Sequence, residues 1–243
     1  MKQLVFLFLA AGLLTGCEKD VPVGDVLQAF TVSPRTLEAD GQSTAEVSVK
    51  LPPETSADRR NVVFTAGKGL FSPAGTAKYT AKAEFINGEL IAKATLRMPL
   101  QPGSVEVTAQ LEYDSPVQEY ALKDVIEATP SVPASLVIEP NRFGLGTNFT
   151  GEVRLVGTLR NTQRRNVSTG NRVLFEDFLP SGTRANGRFR NNQLQSNDTS
   201  RVSTVYAASA YPLGTTIKVR GTVLDANGLK TRVADSVLLT VNF

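Results

Sequence analysis

Hydrophobic and polar positions alternate with a period of two through most of the chain. Ala45, Val47, Val49 and Leu51 share one face of STAEVSVKL, and Val105, Val107, Ala109 and Leu111 do the same in SVEVTAQLEY. Val153, Leu155 and Leu159 follow the same rule, then Ile217, Val219 and Val223, then Val237, Leu239 and Val241. Successive side chains of a strand point to opposite faces, so such runs bounded by Gly, Pro and Asn predict half-buried strands. No segment keeps a helical period for long. Asn87-Gly88 in FINGEL suits a two-residue type I′ hairpin, because both residues accept positive φ. Asn227-Gly228 in DANGL predicts a similar turn. The chain is expected to be all-β.

The two halves repeat each other. Val62-Val63-Phe64 recurs as Val173-Leu174-Phe175, Pro102-Gly103 as Leu213-Gly214, and Asp124-Val125 as Asp235-Ser236-Val237, all at an offset of 111 residues. Pro34 matches Pro140 at an offset of 106. A constant offset across strand-sized landmarks predicts two copies of one domain. Their expected bounds are 28–128 and 136–243, joined by a Pro-rich linker at 129–135 whose prolines favour an extended connection. Each unit has the size of a seven-strand sandwich, although the disulfide and tryptophan of antibody domains are missing.

TLEADGQSTAEVSVKL, with Ala39-Asp40-Gly41-Gln42-Ser43-Thr44 feeding an alternating strand, resembles the opening of bacterial Ig-like domains of the invasin/intimin type. NVVFTAGKGLF and QPGSVEVTAQL resemble later segments of the same domains, so the resemblance covers about residues 28 to 127. It implies tandem Ig-like β-sandwiches and a role in non-catalytic binding or adhesion. The second unit shares the strand pattern but lacks the A-D-G-x-S-T turn and has a longer middle, Thr162 to Ser200.

The amino terminus explains the chain's only cysteine. Leu4 to Leu14 is an apolar run after Lys2, of signal-peptide length and too short to span a bilayer. Leu14-Thr15-Gly16-Cys17 resembles the bacterial lipobox. The resemblance implies a signal peptide at 1–16, cleavage after Gly16, and a lipid on the Cys17 thiol that holds the protein on a membrane. Residues 17–27 are then expected to be a linker. Glu18-Lys19-Asp20 resembles the export signal of some surface lipoproteins, which implies the outer membrane, facing outward or into the periplasm.

Composition narrows the chemistry. Histidine is absent and there is one cysteine, so Ser-His-Asp and Cys-His catalysis and the usual zinc sites are excluded. The carboxylates are dispersed, no residue is nominated as catalytic or metal-ligating, and no cofactor is expected. The charge is split between the halves. From Cys17 to Thr129 there are 11 Lys/Arg against 16 Asp/Glu, a net of −5. From Pro130 to Phe243 there are 14 against 7, a net of +7, and 12 of the 14 are arginine. Arg160, Arg164 and Arg165 in one run, and Arg184, Arg188 and Arg190 in another, nominate an anion-binding surface, because guanidinium suits bidentate recognition of carboxylate or phosphate.

Expected partners are a membrane through Cys17, and an anionic polysaccharide, lipopolysaccharide or acidic protein through the arginines. Nucleic acid is not expected, because stacking aromatics are not interleaved with the arginines. The function expected is display of two binding domains on the envelope. A structural spacer or an accessory subunit of an envelope assembly is the alternative, and a carboxylate-based glycan-processing enzyme the more remote one.

Overall fold

The computed structural model describes residues 23–112 and 120–243. Cys17 and the apolar leader lie outside the described residues. A helical turn at Val23–Val26 leads into β1 (Ala29–Ser33), β2 (Thr36–Glu38), β3 (Thr44–Leu51), β4 (Asn61–Ala66) and β5 (Leu70–Ser72). The first unit continues with β6 (Lys78–Lys82), β7 (Glu84–Ile86), β8 (Glu89–Arg97), β9 (Gly103–Leu111) and β10 (Ala121–Thr129). The second contains β11 (Ser135–Pro140), β12 (Gly144–Leu145), β13 (Glu152–Arg160), β14 (Arg172–Phe178) and β15 (Arg188–Phe189). It ends with β16 (Gln193–Gln195), β17 (Arg201–Ala207), β18 (Thr216–Leu224) and β19 (Lys230–Val241).

Each unit is a two-sheet sandwich, and the two share a topology. In the first, β1-β3-β8-β5 faces β2-β10-β9-β4-β6, with β7 also paired to β8. In the second, β11-β13-β17-β15 faces β12-β19-β18-β14-β16. The short strands β2 and β12 each run parallel to the last strand of their own unit. The repeat landmarks fall in matching places: β4 and β14 hold the Val-x-Phe triplets, Gly103 and Gly214 stand at the start of β9 and just before β18, and β10 and β19 hold the aspartates.

The alternation produces two separate cores. Inward residues of β3, Ala45, Val47, Val49 and Leu51, meet Val62 and Phe64 of β4 and Val105, Val107 and Ala109 of β9. Phe64 packs between Phe30 and Phe71 at centroid distances of 6.4 and 6.2 Å. In the second unit Leu155, Val173, Phe175, Val219 and Leu239 form the centre. There Phe189 packs against Tyr206 in a tilted pair with ring centroids 4.7 Å apart. Aliphatic and aromatic burial of this kind is worth about 25 cal/mol per Å² of surface removed from water, which makes these contacts the main stabilising force.

The two glycine turns differ. Asn87 and Gly88, with φ of 52° and 84°, connect Ile86 to its partner Glu89 as a type I′ hairpin. At the second turn only Gly228 has positive φ, and the Asp225 carboxylate accepts the N–H groups of Asn227 and Leu229 at 2.9 and 2.8 Å. An Asx turn with a left-handed glycine therefore replaces the expected type I′ geometry. The expected linker at 17–27 is also shorter: Leu27 is buried in the first core, with Val23 and Val26 packed on it. From Cys17 to Val23 an extended chain reaches at most about 21 Å.

The A-D-G-x-S-T turn lies between β2 and β3, at the end of the first sandwich that meets the second. The Asp40 side chain is wholly excluded from solvent. It accepts the backbone N–H groups of Gln42 at 2.8 Å and Ser43 at 2.6 Å, and the Ser43 hydroxyl at 2.8 Å. Gly41 takes φ of 71°, which lets the turn close under the carboxylate. Arg165 of the second unit donates to the same carboxylate at 3.4 Å and to Ser43 Oγ at 3.2 Å. Beside it, Glu38 Oε2 accepts the Ser131 hydroxyl at 2.8 Å and the Asn161 amide at 2.9 Å. The Ser168 hydroxyl donates to the Ala39 carbonyl at 2.9 Å, and the Thr169 N–H to the Leu100 carbonyl at 3.0 Å.

The connecting segment is part of this joint. Ser131 is buried, its N–H donates to Ser168 Oγ at 2.8 Å, and its carbonyl accepts the Ser168 N–H at 3.0 Å. The joint is polar, hydrogen-bonded and spans both units. Val23–Leu27 sits at the opposite end of the first sandwich, where the Gln28 N–H donates to the Lys50 carbonyl near the far end of β3. The units are therefore arranged end to end.

Separate cores predict separate folding. Chains ending at Thr129 and starting at Pro130 should each give β-rich circular dichroism and a cooperative unfolding transition. Phe64→Ala should destabilise the first by about 3–5 kcal/mol and leave the second unchanged. Failure of both halves to fold would show one fused unit.

Asp40 yields a second prediction. Burial alone would raise its pKa, but the two backbone N–H groups, the Ser43 hydroxyl and Arg165 outweigh burial and hold it below the usual carboxylate value. A carboxylate whose folded pKa is depressed contributes stability above its unfolded pKa and loses it as pH falls through the folded one. Asp40→Ala should therefore cost about 2 kcal/mol at neutral pH, with the two backbone N–H groups left unpaired, and less in acid. Arg165→Ala should barely change either unfolding transition, because the guanidinium is partly exposed. It should instead widen the inter-domain distance distribution read by paired spin labels, and an unchanged distribution would remove Arg165 from the joint.

Candidate functional site

The six arginines picked out along the sequence fall into two groups. Arg160, Arg164 and Arg165 lie at the joint end of the second sandwich. Arg160 donates to Asn166 Oδ1, and Arg165 is turned to Asp40 and Ser43. Arg164 sits exposed in a turn with φ of 60°. Arg184, Arg188 and Arg190 lie toward the other end, where Arg188 is level with Ala207 and Glu152 across the sheet. Eight residues of β13 separate that row from Arg160, about 26 Å at strand spacing. The six do not converge on one point.

Their partners divide them further. Arg184 pairs with Glu176 and lies over the Phe178 ring at 4.8 Å. Arg188 lies over the Phe149 ring at 5.4 Å. Arg190 is 3.8 Å from Glu152 in a pair exposed on both sides, which contributes little to stability.

Strand parity creates a grouping that the linear runs hide. On the sheet β11-β13-β17-β15, Phe189 points inward onto Tyr206, so Arg188 and Arg190 point outward. On β13 the inward residues Val153, Leu155 and Leu159 leave Arg154 and Arg160 outward. On β17 the buried Val202 leaves Arg201 outward. One sheet face therefore carries Arg154, Arg160, Arg188, Arg190 and Arg201, with Glu139 and Glu152 as the carboxylates of its strands. Arg154 and Arg201 belong to this face although neither lies in an arginine run. Reading the period-two alternation for its outward positions, as well as its inward ones, would have found both.

Two buried carboxylates, Glu176 and Asp177, stand side by side on β14. Asp177 points inward and accepts the Gly187 N–H at 2.6 Å and the Tyr206 hydroxyl at 2.8 Å. Gly187 is needed there, because a Cβ would collide with the Tyr206 ring. Burial, followed by the Asp177 charge, pushes the Tyr206 phenol far above its ordinary range. Glu176 points to the other face, where Lys230 holds it at 2.6 Å together with Arg184. Burial raises its pKa, but these two cations outweigh burial and leave it lowered. A glycosidase needs two carboxyl groups flanking one bond. Neighbours on a strand that point to opposite faces do not supply that geometry.

No protein-family model matches the sequence, and no curated protein matches it. Solved structures do. The Yersinia pseudotuberculosis adhesin InvE aligns over 90% of this chain at 13% identity with a TM-score of 0.50, and 61% of that chain is covered. Invasin, described as a bacterial integrin-binding protein, aligns over 88% at 17% identity with a TM-score of 0.58, and 38% of that chain is covered. A β-glycosidase from Bacteroides vulgatus also aligns, with a TM-score of 0.37 and 10% identity, too loosely to argue from. The chain thus spans less than two thirds of the length of each of these two proteins. At these identities the likeness is one of fold: tandem Ig-like sandwiches of the invasin/intimin type.

Proposed function

We propose that this is a lipid-anchored envelope protein that carries two Ig-like domains outward and binds its partner without catalysis. The observation that carries the reading is the end-to-end order of the molecule. The segment leading from Cys17 enters one end of the first sandwich, and the hydrogen-bonded joint occupies the other end. The second sandwich, with its net positive charge, is then held furthest from the anchor. Its acidic companion, with a net charge of −5 from Cys17 to Thr129, is repelled by an anionic membrane surface. Such an arrangement suits an outer end that meets an anionic polysaccharide, lipopolysaccharide or an acidic protein. Glu176 and Asp177, pointing to opposite faces of β14, do not form a glycosidase pair.

A structural spacer is the second reading. It is favoured by the arginines committed to internal partners, Arg160, Arg165 and Arg184 above all.

Cys17→Ser should release the protein from membranes or leave it unprocessed, as read by detergent fractionation. A variant that still partitions fully with membranes would end the anchor hypothesis. Protease treatment of intact cells should degrade both domains if they face outward, and complete protection would place them on the periplasmic side.

A further inference from the structure

We propose that the outer face of the β11-β13-β17-β15 sheet holds a preorganised oxyanion site, built from Arg154, Arg190, Asn191 and Ser203, for an acidic polysaccharide. The inference rests on the binding role above and assigns it a site and a ligand class. A shallow groove of about 360 Å³ runs between these residues, floored by Thr204 and Val205. Arg154 lies directly across β13 and β17 from Val205, and the Arg190 N–H donates to the carbonyl of the same Val205 at 2.9 Å. The two guanidinium groups therefore arise from backbones two strand spacings apart, about 10 Å, with a small apolar residue between them.

One wall of the groove and the Asn191 backbone are held in place. Arg154 Nε donates to Ser203 Oγ at 3.1 Å, which ties the exposed Arg154 side chain to β17. Buried Thr204 donates its hydroxyl to the Asn191 carbonyl at 2.6 Å, fixing the backbone that carries the Asn191 amide. No carboxylate is among the described residues that line the groove, and Arg190 meets Glu152 at 3.8 Å in a solvent-exposed pair. Two planar cations, an amide and a hydroxyl that still has its proton to donate form a set suited to a sulfate ester or a carboxylate.

The rest of the face selects a polymer. Arg201 is level with Thr158, four residues along β13 from Arg154 and about 13 Å away. A chain lying along the strands would meet cations in succession, so weak single contacts add through effective concentration. Nucleic acid is disfavoured because Phe189, the aromatic of β15, packs inward against Tyr206 and offers no base platform. A protein partner is disfavoured because the groove is shallow and lacks the aromatic anchors that dominate protein interfaces.

The test uses the full chain against immobilised polymers at low salt, one arm a sulfated dextran and the other a polyuronate. These arms distinguish sulfate from carboxylate as the oxyanion. Arg154→Ser with Arg190→Ser should weaken binding by at least about tenfold in the preferred arm. A control of equal charge, Lys218→Ser with Arg232→Ser on the opposite sheet, should weaken it less than about twofold. Arg154→Lys, which keeps the charge and loses the planar fork, should fall between them. Equal losses in the two double variants would show non-specific attraction to net charge, and a chain that binds neither polymer at low salt has no such site. Both results would overturn the proposal while leaving cell-surface display, tested by protease treatment, to stand or fall separately.

Discussion

A carboxylate removed from water has to find its hydrogen bonds inside the protein, and Asp40 finds them in a way that fixes much of this molecule. Two backbone N–H groups and a hydroxyl from the next three residues close the β2–β3 turn beneath it. That turn sets where β2 ends, and so the short parallel pairing of β2 with β10. The Asp40 oxygen that accepts the Ser43 hydroxyl also receives Arg165. Neighbouring Ala39 and Glu38 accept Ser168, Ser131 and Asn161. One buried charge thus organises a local turn and, through the residues on either side, the contact between two domains.

The joint works because its donors are short. Ser131, Ser168, Ser196 and Ser200 are all buried, and a serine hydroxyl can both give and accept a hydrogen bond in little volume. Ser200 Oγ donates to the Val167 carbonyl and accepts the Val167 N–H, while Ser196 Oγ donates to the Ser168 carbonyl. The loop that faces the first domain is therefore stapled to the body of the second. Conformational entropy that a free loop would lose on docking has already been spent in folding.

The fold was legible because period-two patterning is a direct record of which side chains face a core. Ala45 through Leu51 and Val105 through Leu111 lie buried as the alternation required, and the repeat landmarks fell in equivalent strands. The joint was not legible, although its motif was. Asp40-Gly41-Gln42-Ser43 could be seen as a turn, but nothing local told that Arg165, 125 residues away, would reach it. The arginine runs do not map onto one surface, for a related reason. Adjacent residues in a run leave a loop in different directions: Arg164 stays exposed while Arg165 turns to Asp40. Arg154 and Arg201 are far apart in sequence and share a sheet face.

A stiff joint changes what weak surface charges can achieve. If the second sandwich swung freely on its linker, its arginine face would sample every orientation, and ordering it on a polymer would cost entropy at each encounter. Held by polar contacts from Glu38, Ala39, Asp40 and Leu100, the face keeps one direction relative to the first domain, and less ordering remains to be done on binding. The charge pattern acts in the same sense. Attraction between exposed charges fades beyond about 8 Å at physiological ionic strength, so under the proposed anchoring a cation close to Cys17 would be neutralised by the membrane before it met a partner. With the chain anchored at Cys17 as proposed, the acidic sandwich stands next to the membrane and the arginines lie beyond the joint, which keeps that cationic face available. Under the proposed binding role, the joint and the charge asymmetry are two parts of one arrangement, in which folding energy holds a weakly attractive surface where its attraction is felt.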